Sequence, residues 1–195
     1  MKPGTAQLRE VADVQLGLTL RGADASRHHD AGTHQLVRIG DISEDGAIRI
    51  TEINLVRLDE ATAGRSELRA GDVLVAARGT RMTAALFDGS FTAIAGSQFC
   101  IIRPHAEYLL PAYLRWFLNL PSTQESLVAR ARGSYVRSLP AGALAELEVL
   151  IPPPAHQRAI TKIHELRLRE KNLMATLASR RAVLVDRLML QSLQG

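Results

Sequence analysis

Apolar residues along this chain follow two spacings in turn. Up to Pro104 they come in short blocks bounded by Gly, Asp and Pro, as strands do. QLVRIGDI (35–42) reads as a strand ending in a Gly-Asp turn. GAIRITEINLVRL (46–58) alternates enough for one or two strands. GDVLVAARGT (71–80), an apolar run between Gly71 and Gly79, suits a buried strand, and SQFCIIR (97–103) suits another. Ahead of these, TAQLREVAD (5–13) predicts a short helix with Leu8, Val11 and Ala12 on one side. GLTLRGADASRHHDAGTH (17–34) is polar and Gly-rich and predicts a long loop, a kind of segment often kept for function.

Beyond Pro104 the spacing becomes three and four. EYLLPAYLRWFLNL (107–120) predicts a helix starting near Leu110, with Pro111 in the first turn, where its missing N–H would be unpaired anyway. STQESLVARA (122–131) predicts a second helix, with Ser122 as N-cap, Glu125 completing a capping box and Gly133 ending it. A short third helix covers 140–146. Leu147 to Ile151 is a strand, stopped by Pro152, Pro153 and Pro154, which cannot donate to a sheet ladder.

From Ala155 to about Gln191 neither Pro nor Gly interrupts the chain. That is a rod of roughly 35 residues, about 50 Å long at helical rise. Its apolar seam is Ile163, Leu166, Leu173, Leu177, Leu184 and Leu188, in steps of mostly three, four and seven. Glu170 and Arg180 interrupt the seam. Two readings follow. The rod packs on its own domain and leaves those two exposed, or it pairs antiparallel with a second copy about an axis near Ala175, setting Glu170 level with the partner's Arg180. The fold class expected is α/β (α+β): a mixed domain over 1–152, then one long helix over 153–195.

Composition narrows the chemistry. With 195 residues, 46 % of them hydrophobic, the chain is long enough for one sizeable core. Cys100 stands alone, which excludes an intrachain disulfide and a Cys-based zinc site. The first residues lack a signal-peptide core, and no apolar run approaches membrane length, so a soluble, cytoplasmic chain is expected. Residues 156–195 hold eight Lys and Arg against three acids, while residues 1–155 hold 16 against 17. The rod is therefore basic and the domain nearly neutral. A neutral domain still binds DNA where its arginines cluster on one face.

Catalytic motifs are missing. Ile151-Pro152-Pro153-Pro154 lacks the polar and aromatic partners of a base-methyltransferase motif, and no phosphate-cradling G-x-x-x-x-G-K-[ST] loop occurs. His28, His29 and His34 lack acids or Cys at ligand spacing, so no metal is expected; contact with phosphate or solvent fits them better. Trp116 and Phe117 sit in an apolar helix, where core packing is the default and stacking on DNA a weak second.

Five segments, in order, carry a resemblance: LREVADVQLGLTLRG (8–22), VRIGDISEDGAI (37–48), LRAGDVLVAARGT (68–80), PAYLRWFLN (111–119) and GSYVRSLPAGALAELEVLIPPPAHQRAI (133–160). Together the chain resembles the DNA specificity subunits of type I restriction–modification systems. That family usually carries two target-recognition domains, each followed by a long helix, and the two helices pack antiparallel. Here there is one domain and one helix, and His156 stands where many relatives place an acid. The resemblance implies a half-length form that pairs as a homodimer and reads a bipartite, palindromic site on double-stranded DNA. It also implies no catalytic role and no cofactor of its own. S-adenosylmethionine belongs to a methyltransferase partner, and a translocase–nuclease subunit joins for cleavage.

Three groups are candidates for DNA contact: Arg21, Arg27, His28 and His29; Arg78, Thr80 and Arg81; and Arg130, Arg132, Ser134, Tyr135 and Arg137. Each mixes cations with groups that donate to phosphate, and Arg also reads base edges. The bland reading of each is a solvated loop arginine. Two other functions stay open at this point: a stand-alone dimeric DNA-binding regulator, and an assembly adaptor that binds no DNA.

Overall fold

The computed structural model describes residues 4–20, 32–43, 45–50, 52–79, 81–133 and 137–193. In chain order the elements are β1 (Gly4–Gln7), α1 (Leu8–Val11), β2 (Ala12–Leu16), β3 (His34–Val37), β4 (Leu55–Val56), α2 (Glu60–Ser66), β5 (Val73–Ala76), β6 (Ala84–Leu86), β7 (Ala93–Ala95), β8 (Phe99–Pro104), α3 (Pro111–Leu118), α4 (Pro121–Arg130), α5 (Ala141–Ala145), β9 (Glu148–Ile151) and α6 (Pro154–Ser192). The chain divides into two units, Met1–Arg158 and Ala159–Gly195. This is the expected class, a mixed α/β domain followed by one long helix.

Among the described residues, three sheets build the first unit. An antiparallel sheet of order β2-β8-β5-β6 carries most of the apolar strands. A second sheet, β4-β3-β7, pairs β3 antiparallel to β4 and parallel to β7. The third joins β1 to β9, the strand before the prolines. Val37, Leu74, Phe87, Phe99 and Ile101 form a core from the first two sheets, with Ala76, Ala93 and Ala95 filling the remaining space. The small residues matter where chains meet closely: a Cβ on Gly17 would lie 2.2 Å from the Gly96 carbonyl oxygen.

Several local expectations are corrected. TAQLREVAD is one helical turn between two strands, because β1 pairs with β9 and β2 with β8. Sheet pairing outweighs local propensity there, while Leu8, Val11 and Ala12 are buried as the pattern required. The 35–42 strand stops at Val37, and Ile39–Asp41 is a 3-10 turn. Of the described residues within 46–58, only Leu55–Val56 form a strand. Ser122 does not cap α4: Leu120 is the N-cap, Pro121 is the first helical residue, and the helix ends at Arg130, before Gly133. Pro111 opens α3 as expected. Phe117 is buried, and Trp116 packs against Tyr113 with ring centroids 5.5 Å apart.

The start of α6 is fixed by Gln157, which is 1 % exposed. Its amide oxygen accepts from the Leu110 N–H at 2.8 Å, and its amide nitrogen donates to the carbonyls of Tyr108 (2.8 Å) and Pro152 (2.9 Å). The Leu110 N–H lies at the start of α3, where no helical partner exists.

Candidate nucleic-acid interface

Two copies of one four-residue turn, Arg-x-Gly-Asp, frame the site. In Arg38–Asp41 and in Arg69–Asp72 the Asp carboxylate accepts the Arg N–H, at 2.8 Å in both. The Asp N–H returns to the Arg carbonyl, at 3.0 and 2.9 Å. Asp72 is buried and also takes a two-pronged contact from Arg103, Nε at 2.8 Å and Nη2 at 2.7 Å. That contact pushes the Arg103 pKa above its ordinary value, against the opposing effect of burial. The second turn feeds directly into β5.

At its far end β5 continues through Ala77, Arg78 and Gly79, and this stretch collects the later segments. Ala77 accepts the Leu139 N–H (2.8 Å), and Arg137 accepts the Gly79 N–H (3.1 Å). Arg78 bridges Ser138, and Ser138 exchanges two 2.8 Å backbone bonds with Arg132. Gly79 has φ +116°, a conformation L side chains rarely adopt, so the turn here favours glycine. Members of two of the three candidate groups thus come together: Arg78, Arg132 and Arg137 are neighbours along paired backbone, and all three are exposed. Arg130 is directed elsewhere, its guanidinium bonded to the Ser126 hydroxyl and carbonyl within α4. Arg21, Arg27, His28, His29, Thr80, Ser134 and Tyr135 lie outside the described residues.

The strand after the turn is held from outside. β6 is the edge of its sheet, and two amide side chains stand in for a missing neighbour. Gln124 accepts the Met82 N–H (3.2 Å) and donates to its carbonyl (3.0 Å). Asn119 does the same for Ala84, at 3.0 and 2.7 Å. Arg81 and Thr83 alternate with these sealed positions. With Ile39, Ile42, Ser43, Ala76, Arg78 and Gly79 they line a cleft of about 510 Å³. The Ser43 hydroxyl donates to Asp45, and chiefly this bond holds the Asp45 carboxyl below its ordinary pKa.

Sequence reasoning missed Asp72, Asn119 and Gln124. The repeated Arg-x-Gly-Asp was a visible signal for the first; no signal marked the amides. His34 is buried in β3, with its Nδ1 2.8 Å from the Thr33 hydroxyl. Among the described residues no cluster of three His, Cys, Asp or Glu is placed to hold a metal.

In the second unit the seam is open. Ile163, Leu166, Leu173, Leu177, Leu184 and Leu188 are each more than half exposed, and Glu170 and Arg180 are exposed among them. Among the described residues, no helix is long and apolar enough to cross a membrane.

Residues 4–166 match the family model of the type I restriction modification DNA specificity domain. No curated protein matches the chain. Among solved structures, one similar chain comes from work on complex assembly and conformational transition of the type I R-M system, with TM-score 0.73 and 15 % identity over 96 % of this chain and 43 % of that one. The HsdS subunit from Thermoanaerobacter tengcongensis gives TM-score 0.63 and 22 % identity over 88 % and 44 %. The type I restriction–modification S subunit from M. genitalium gives 0.60 and 17 % over 90 % and 41 %. The chain thus spans less than half the length of each. Because the family match runs from β1 into α6, the chain belongs to the family of type I restriction–modification DNA specificity domains, which are non-catalytic.

Proposed function

We propose that this chain selects the DNA sequence for a type I-like modification complex, as a homodimer whose two domains read the halves of a bipartite, palindromic site. Residues 1–152 act as the target-recognition domain and 153–195 as the pairing and spacing helix. Arg78, Arg81, Arg132 and Arg137 contact DNA, with Arg130 and the residues outside the described set, Arg21, Arg27, His28, His29, Thr80, Ser134 and Tyr135, as further candidates. The partners are double-stranded DNA, a methyltransferase subunit that binds S-adenosylmethionine and, for cleavage, a translocase–nuclease subunit. The complex works in the cytoplasm, where its DNA is.

One observation carries the pairing: three pairs of seam positions share the same midpoint. Leu166 with Leu184, Glu170 with Arg180, and Leu173 with Leu177 are each centred on Ala175. An antiparallel pair of these helices therefore matches Leu to Leu at two levels and acid to base at the level between. The seam's exposure leaves it available for such a partner. A true two-fold dimer reads a two-fold site.

The test is the genome-wide methylation pattern of the source strain with and without this gene. Deletion is expected to remove one palindromic, gapped motif. Loss of an asymmetric motif would keep the specificity role and overturn the homodimer. An unchanged pattern, with a methyltransferase expressed, would overturn the role itself.

A further inference from the structure

The cleft beside β5 joins two unlike chemistries. One lining segment supplies Arg78 and Arg81, with Thr83; the other supplies Ile39, Ile42 and Ser43. None of the described lining residues is acidic. Both isoleucines are half-buried and pack against the core that includes Val37, Ala76 and Phe99. Their exposed parts are thus backed by a rigid sheet, and the facing strand is held by Gln124 and Asn119.

A phosphate uses cations and hydroxyls but gains nothing from two isoleucines. A base edge in the major groove uses both kinds of group. Guanine presents O6 and N7 to an arginine, and the thymine C5-methyl is the apolar feature of that groove. Resting on the DNA-reading function above, we infer that this cleft receives base edges, and that Ile39 and Ile42 are specificity-determining residues that contact a thymine methyl beside a base pair read by Arg78 or Arg81.

The experiment uses the full chain in complex with its methyltransferase, and a duplex carrying the motif found by methylation sequencing. Each thymine is replaced in turn by deoxyuridine, which keeps the pairing edge and removes only the methyl. At one thymine per half-site the wild-type complex is expected to lose about fourfold in affinity, the worth of one buried methyl. In Ile39→Ala/Ile42→Ala the two duplexes should bind alike. Should that double variant fail to fold, Ile42→Val serves in its place and is expected to shrink the discrimination. A motif without any A·T pair overturns the inference. So does a scan in which no thymine methyl matters, or a discrimination that persists unchanged in the isoleucine variants. If the wild-type complex binds no sequence preferentially, the DNA-reading function itself fails, a result distinct from these three.

Discussion

Asp72 shows what a single residue can hold in place. Its carboxylate closes the turn before β5 and pairs with Arg103 across the sheet, where β5 and β8 lie in register. Substituting Asp72→Ala leaves a guanidinium without its partner beside the core and opens the turn. Breaking a buried pair by removing one member costs about 3 kcal/mol or more. The urea midpoint is expected to fall by that free energy divided by the slope of the transition, while the slope itself stays unchanged, showing that the folded state has not loosened. The Gly-Asp turn was legible in the sequence at residues 40–41, and its twin is spelled the same way at 71–72. Arg103 was not legible as its partner. That pairing depends on strand register, which no spacing within either segment encodes.

Element by element, the sequence announced what apolar periodicity supports and missed what hydrogen bonds decide. Both α3 and β8 follow their patterns, and the strand from 147 to 151 stops at its prolines. Helix α2 buries none of its residues and contains Gly64, so it has no apolar stripe to display; Asp59 caps it by accepting the Thr62 N–H. The seal on β6 was hidden for a similar reason, since nothing local ties Gln124 to residue 82. Gln124→Ala removes both bonds to Met82 and a third to the Leu118 carbonyl. Leaving the buried Met82 groups unpaired costs about 2 kcal/mol. It also uncovers a sheet edge, a template for pairing with other chains. Thermal unfolding should occur earlier, and light scattering on heating should rise above that of the wild-type chain.

At the scale of the whole molecule, the candidate site was legible in its parts but not in its assembly. The arginine-bearing segments at 78–81 and 130–137 stood out separately; only backbone pairing through Ser138 makes neighbours of Arg78, Arg132 and Arg137. The proposed dimer can be tested by charge alone. Glu170→Arg or Arg180→Glu by itself sets like charges level across the helix pair, and each is expected to weaken association roughly tenfold or more. The double variant restores opposite charges and should return the mass measured by sedimentation to that of the wild type. A dimer indifferent to all three variants would rule out this register. Gln157 has a consequence for grafting a different recognition domain onto this helix. One side chain gathers Tyr108, Leu110 and Pro152 at the base of α6, just before the division at Arg158. A recombination joint placed after codon 158 transfers the clamp whole, with everything it holds. A joint within the prolines separates the glutamine from all three of its anchors, so a new recognition domain grafted there must present two carbonyls and an N–H of its own in the same arrangement.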